Sequence, residues 1–139
     1  MRQAVDILRF QTRGKGLVEI TGAVVQWVAE QGVTEGLLTL FYRHTSASLL
    51  IQENAAPEVR SDLEAFFDRI APEGASLYAH DDEGPDDMPS HIRSALTQVQ
   101  LSIPIIAGKL ALGAWQGIYL FEHRRRAHAR ELAVHVQGC

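Results

Sequence analysis

A chain of 139 residues is one domain's worth, enough for a sizeable core but well short of the roughly 250 residues of a (β/α)8 barrel. A hydrophobic fraction of 46% and a charged fraction of 22% exclude a disordered or fibrous chain, and a formal net charge of -4 gives no global pull toward nucleic acid or anionic membrane. The longest apolar runs, Leu37 to Tyr42 and Leu49 to Ile51, fall far below the ~20 residues of a membrane span, and the single cysteine, Cys139, allows no disulfide framework or thiolate metal cluster. With no apolar signal-like segment after Met1, the expectation is a cytoplasmic protein with no membrane partner, in which any anion site is local.

No repeat, low-complexity stretch or linker divides the chain, so residues 1–139 read as one domain. A strand from Ala4 to Thr12, the turn Arg13-Gly14-Lys15-Gly16 and a short strand ending near Thr21 predict a hairpin. Thr21 is placed to cap a helix whose Val24, Val25, Trp27 and Val28 face the core until Gly32 ends it. Gly36 to His44 reads as a buried strand and Ser48 to Gln52 as another. Pro57 suits the first position of a helix to Ile70, with Val59, Leu63, Phe66, Phe67 and Ile70 inward.

Glu73 to Asp87 then forms a long acidic loop, a length that marks a functional candidate. Pro89 opens a third helix to Gln98, with Asp87 and His91 near its amino end, where backbone N–H groups favour an anion. Val99 to Ile106 alternates as a strand and turns at Ala107-Gly108-Lys109. Gly117 to His123 and Glu131 to Val136 are expected to pair around the basic turn. The fold class expected is α+β, a mainly antiparallel sheet with interspersed helices on one face.

Three polar islands carry histidine: Tyr42-Arg43-His44-Thr45-Ser46-Ala47-Ser48, Tyr78-Ala79-His80-Asp81-Asp82-Glu83-Gly84 and Asp86-Asp87-Met88-Pro89-Ser90-His91. Imidazole is the commonest protein metal ligand and titrates near neutrality, so the islands suggest a site. No HExxH is present, and ligands from separate segments must be gathered by the fold. A lone histidine at a strand end, such as His44, is also an ordinary hydrogen-bonded core or rim residue.

The segments His44-Thr45-Ser46-Ala47-Ser48-Leu49, Glu53-Asn54-Ala55, Gly84-Pro85-Asp86-Asp87-Met88-Pro89-Ser90-His91-Ile92, Ile103-Pro104-Ile105, Leu112-Gly113-Ala114-Trp115-Gln116-Gly117-Ile118 and Glu122-His123-Arg124, with Asp62 and His80, together resemble the YjbQ family of secondary thiamine-phosphate synthases. The likeness runs from about Gly36 to Gly138. Ala114 departs from the family's usual Thr in LGTWQ, deleting a hydroxyl, and Gln98 lies near a usual Gly.

The resemblance implies an α+β fold, a homotrimer, a histidine-bound metal and an ability to make thiamine phosphate from hydroxymethylpyrimidine pyrophosphate and thiazole phosphate. Fold likeness alone does not settle function. On this reading His44, His80 and His91 are the metal ligands. Three neutral imidazoles favour zinc, whereas magnesium would arrive with the pyrophosphate. Asp87 either orients His91 or caps the helix. Glu53 and Glu122 are candidates for a general base or substrate contact, and surface solvation accounts for either without chemistry.

Ser46, Ser48 and Ser90 can donate to phosphate oxygens or fill turn and cap roles. Trp115 and Gln116 can stack on and bond a heteroaromatic ring, although filling core or subunit interface suits Trp115 better. Arg124-Arg125-Arg126 with Arg130 read as a solvated turn rather than a nucleic-acid patch, and Arg124 is the candidate phosphate contact. His123 joins as a substrate-binding candidate, yet strand alternation turns it and Glu122 to opposite faces unless a bulge intervenes. His128 and His135 are expected at the surface. Two other readings stay open: a metal-dependent phosphohydrolase of a small phosphorylated metabolite, and a non-catalytic metal- or ligand-binding trimer.

Overall fold

Alternation of inward apolar residues builds two antiparallel sheets in the computed structural model, which describes residues 1–139. In chain order the elements are β1 (Arg2–Gln11), β2 (Gly16–Glu19), α1 (Thr21–Gln31), β3 (Gly36–Tyr42), β4 (Ala47–Glu53), α2 (Pro57–Ile70), α3 (Asp87–Leu96), β5 (Gln100–Ile106), β6 (Lys109–Leu110), β7 (Gln116–Glu122) and β8 (Ala129–Gly138). The larger sheet runs β1-β8-β3-β5-β6 and the smaller β2-β7-β4. The α+β expectation of one domain with three helices holds, with the sheet divided in two.

The core lies between the sheets and against α1. Leu38, Leu40, Leu132 and Val136 of the large sheet meet Leu49, Ile118 and Leu120 of the small one, with Val24 of α1 among them, and all are sealed from solvent. At about 25 cal/mol per Å² of apolar surface removed from water, this shared interior is the main force joining the sheets. A second cluster, Leu17, Phe67, Tyr119 and Phe121, binds α2 to the outer side of the small sheet. Of the inner face expected for α2 only Phe67 is fully buried; Phe66 and Ile70 are exposed.

Two expected hairpins do not form. β1 pairs with β8 and β2 with β7, while β7 and β8 lie in different sheets. A glycine-rich turn tells the chain to change direction but not which strand to meet, and here each turn carries the chain from one sheet to the other. The link between β3 and β4 does the same. The three crossings are tied together, with Thr12 N–H bonded to the His128 carbonyl at 2.8 Å and Arg130 Nη2 to Ser46 Oγ at 3.1 Å.

Two helix starts also differ from expectation. Thr21 makes no cap; its hydroxyl accepts Ile118 N–H at 2.8 Å and donates to Glu19 at 2.8 Å, joining α1 to β7. Helix α3 begins at Asp87, two residues before Pro89, and neither Asp86 nor Asp87 serves as a side-chain cap, because both carboxylates are drawn to Arg124. Gly32 closes α1 in the left-handed region at φ 67, as glycine there allows.

Candidate metal centre

Asp87 and His91 are four residues apart on α3 and therefore share a face, one turn above the other. The irregular segment 71–86 folds back to bring His80 onto the same face. His80 Nε2 lies 2.8 Å and His91 Nε2 3.2 Å from the same oxygen, Asp87 Oδ2. A carboxylate only accepts, so both imidazoles donate to it. Glu83 completes the group, its Oε2 3.6 Å from His80 Nε2, and one ligand atom from each of His80, Glu83, Asp87 and His91 falls within 4.8 Å of the others.

Arg124, just beyond β7, fixes this arrangement from behind. Its Nη1 donates to Asp87 Oδ1 at 2.6 Å, its Nε to Asp86 Oδ2 at 3.1 Å and its Nη2 to the Glu83 carbonyl at 2.9 Å. One oxygen of Asp87 is thereby held by the guanidinium and the other is turned to the imidazoles. Burial alone would raise the Asp87 carboxyl, but the hydrogen bond from His80 and the nearby charges of His91 and Arg124 outweigh it and hold it below the usual range. The bond to Asp87 in turn raises His80.

Such a donor set fits a divalent ion. Two imidazoles and two carboxylates converge, Asp87 is buried while His80 and Glu83 are open to solvent, and contacts of 2.8 to 3.6 Å are close to the roughly 3.4 Å between ligands of a tetrahedral zinc. Mixed nitrogen and oxygen donors suit zinc or another transition ion better than magnesium. Arg124 and Asp86 hold the ligands' orientation, the role outer partners play in metal sites.

Other predicted residues lie elsewhere. His44 is not in this group: its Nε2 accepts Glu131 N–H at 2.8 Å, and burial, then the Arg130 charge, lowers its pKa. Glu53, at the far end of β4 from Ala47, accepts from Ala56 N–H at 3.4 Å. Trp115 is 66% exposed and so fills no core of its own chain, and Gln116 Oε1 accepts Gly113 N–H at 2.8 Å.

Glu122 is fully buried at the meeting of the three sheet crossings. Its Oε1 accepts from Thr12 Oγ1 at 2.7 Å and Arg130 Nε at 2.8 Å, and Oε2 accepts from Arg130 Nη2 and the N–H groups of His123 and Arg124. Burial would raise its carboxyl, but the Arg130 and Thr12 bonds win and hold it low. Arg130, expected in a solvated turn, is thus a buried ion-pair partner, because a sealed carboxylate needs a compensating charge.

His123 is equally buried, with Nε2 2.8 Å from Ser48 Oγ, and burial followed by the charges of Arg93 and Arg130 lowers it to about 3. Ser46 accepts from Arg130, and Ser48 also accepts from Thr97 Oγ1 at 2.6 Å. Ser90 donates within 3.0 Å of the His123 carbonyl and so ties α3 to the end of β7. His128 and His135 are half-buried rather than fully exposed, bonded to the Arg126 carbonyl and Gln3.

Sequence reasoning missed Glu83 and Asp86 as members of the site. The signal for Glu83 was its place in Asp81-Asp82-Glu83, three residues after His80, but nothing in that acidic run marks which carboxylate turns inward.

Known structures share this architecture. A conserved hypothetical protein of Thermus thermophilus is 34% identical with a TM-score of 0.81, covering 93% of this chain and 97% of that one. An uncharacterized conserved protein of the YjbQ/UPF0047 family from Clostridium acetobutylicum is 32% identical with a TM-score of 0.83, over 94% and 99%. Among sequences, a UPF0047 protein of Synechocystis is 53% identical over 137 residues, 99% of this chain and 93% of its own length. The UPF0047 protein YjbQ of Escherichia coli is 41% identical over 132 residues, 94% and 95%. With the model described as UPF0047 protein YjbQ-like matching residues 6–139, the chain belongs to the YjbQ/UPF0047 family.

Proposed function

We propose that this protein is a metal-assisted transferase that forms thiamine phosphate from hydroxymethylpyrimidine pyrophosphate and thiazole phosphate, working as a cytoplasmic homotrimer. The observation that carries this reading is the convergence of His80, Glu83, Asp87 and His91 on one point, backed by Arg124. These four residues would hold the ion, and their donor types suit zinc. A bound ion would supply Lewis-acid polarisation of phosphate oxygens and so favour pyrophosphate as a leaving group.

The chain's own residues supply orientation and charge. Arg124 keeps Asp87 Oδ2 aimed at the imidazoles, so the ligands need no rearrangement during reaction. The thiazole nitrogen attacks the pyrimidine methylene with its ring lone pair; a C–N bond forms, the C–O bond breaks, and no proton is removed from the nucleophile. A general base at Glu122 is therefore unnecessary, in keeping with a carboxylate whose oxygens are both bonded within the protein.

A homotrimer is supported by unpartnered apolar surface. Phe66, Leu96, Ile106 and Trp115 are exposed, and a groove of about 700 Å³ runs between α2 and β5, lined by Leu50, Leu63, Phe66 and Leu96. A solution mass near three times 15.4 kDa is expected. No helix is long and apolar enough to cross a membrane.

The exposure of His80 and Glu83 favours one second reading, a phosphohydrolase, since water reaches the centre freely. Zinc-defined protein given both heterocyclic phosphates decides between them. Thiamine phosphate formation that disappears in His91→Ala supports the transferase; release of inorganic phosphate or pyrophosphate without a coupled product rejects it in favour of hydrolysis.

A further inference from the structure

Two recesses flank the His80–His91 centre, and their linings are opposite in character. On one side a cavity of about 200 Å³ is walled by Ala75, Tyr78, His80, Pro85 and Met88. On the other, a groove of about 390 Å³ is walled by Glu83, Asp86 and the guanidinium run Arg124, Arg125 and Arg126. Gly84 and Pro85 form part of both walls, so one ridge separates the two. Gly84 has φ +102, and a Cβ there would stand 3.3 Å from Asp86 Oδ1; the ridge is a position only glycine takes without strain.

We infer that these are two subsites of a single ligand: the Tyr78–Met88 recess seats one planar heteroaromatic ring, and the arginine groove seats the phosphate groups it carries. The inference rests on the phosphorylated-heterocycle reading above and gives parts to Tyr78, Met88 and Arg126, which that reading leaves unused.

Size limits the ring. A recess of about 200 Å³ is below the ~300 Å³ at which drug-sized sites begin and holds the liquid volume of about seven waters, which suits one substituted ring and not a nucleoside. Tyr78 is pinned by its hydroxyl bond to the Pro72 carbonyl at 2.7 Å, so ordering it costs little on binding. Met88, next to Asp87 on α3, supplies a polarizable thioether that adapts to an aromatic face.

Charge assigns the other half. Arg124 is fully engaged with Asp86, Asp87 and the Glu83 carbonyl, and Arg125 pairs with Glu73. The Arg126 guanidinium has no hydrogen-bond or ion-pair partner, although its backbone carbonyl accepts from His128. It is the cation of the run free to take a phosphate oxygen, and a fork of donors suits that role.

Calorimetry on the zinc-loaded full chain with two probes, inorganic pyrophosphate and hydroxymethylpyrimidine pyrophosphate, tests this. The ring compound should bind about tenfold tighter than pyrophosphate to the wild type, an increment within reach of one aromatic contact. Met88→Trp, which fills the recess, should erase that preference and leave pyrophosphate binding unchanged. Tyr78→Ala, which opens it instead, should reduce the preference and serves if the tryptophan variant does not fold.

Arg126→Ala should weaken both probes by about tenfold and keep their ratio. No ring preference in the wild type, equal loss of both probes in Met88→Trp or Tyr78→Ala, or unchanged binding in Arg126→Ala overturns the inference. A thiamine phosphate assay on the same samples separates it from the parent reading. Ring preference without product keeps the subsites and rejects the transferase; product without ring preference does the reverse.

Discussion

The junction of the three sheet crossings and the His80–His91 centre draw on the same kinds of side chain, carboxylate, arginine and histidine, yet differ in what is left over. At the junction both Glu122 oxygens are bonded by Arg130, Thr12 and backbone N–H groups, and the site is sealed. At the centre Asp87 is buried and held, while His80 and Glu83 stay exposed and the Glu83 carboxylate, 3.6 Å from His80 Nε2, makes no hydrogen bond. Saturation under burial marks a group that holds the fold together. Convergence with unused lone pairs at the surface marks one that can take a ligand.

The sharpest way to break the contrast is at the junction. Glu122→Gln leaves Arg130 buried without its counter-charge and should cost about 3–5 kcal/mol of unfolding free energy, read by urea denaturation. A loss below about 1 kcal/mol would mean the pair behaves as a surface ion pair. At the centre, Asp87→Asn should lower zinc affinity by about 100-fold in a chelator competition while the far-ultraviolet spectrum is kept. Unchanged affinity would remove Asp87 from the ligand set.

The pH dependence sharpens the comparison. Folded His123 is lowered to about 3, so the unfolded chain takes up the proton first as pH falls below about 6.5. Its contribution is complete above about 6.5 and is lost as pH falls toward 3, about 2 kcal/mol by pH 5. His123→Asn should flatten that part of the stability profile, and an identical profile would assign the acid loss to other groups.

Smaller effects separate positioning from ligation. Arg124→Gln should weaken zinc by about tenfold, less than loss of Asp87, with Arg124→Lys partly restoring it. His44→Ala should cost about 1 kcal/mol through the orphaned Glu131 N–H and leave zinc affinity as it was. Loss of zinc in that variant would instead place His44 in a site shared between subunits.

Much of the secondary structure was readable because it rests on local rules. Pro57 opens α2 and Gly32 closes α1 where expected, and alternation located β5 and β8 to within a few residues. The pairing of Asp87 with His91 was readable too, since a four-residue step on a helix puts two side chains on one face. The hairpins failed because a turn is local while a strand partner is chosen by burial of a whole face, as β8 shows by lying between β1 and β3. Arg130 was misread for the same reason: in sequence it follows the run Arg124-Arg125-Arg126 by four residues, but its neighbour in space is Glu122.

The sequence by itself determined the α+β class, the family, and the local spacing that sets Asp87 and His91 together, because composition, periodicity and motif order are properties of neighbouring residues. Only the tertiary structure decided that His80 and Glu83 join them, that His44 does not, and that Glu122 and His123 are sealed where three chain crossings meet. Those outcomes depend on how two sheets close over one core, and a long irregular segment carries no local rule that says where its side chains will land.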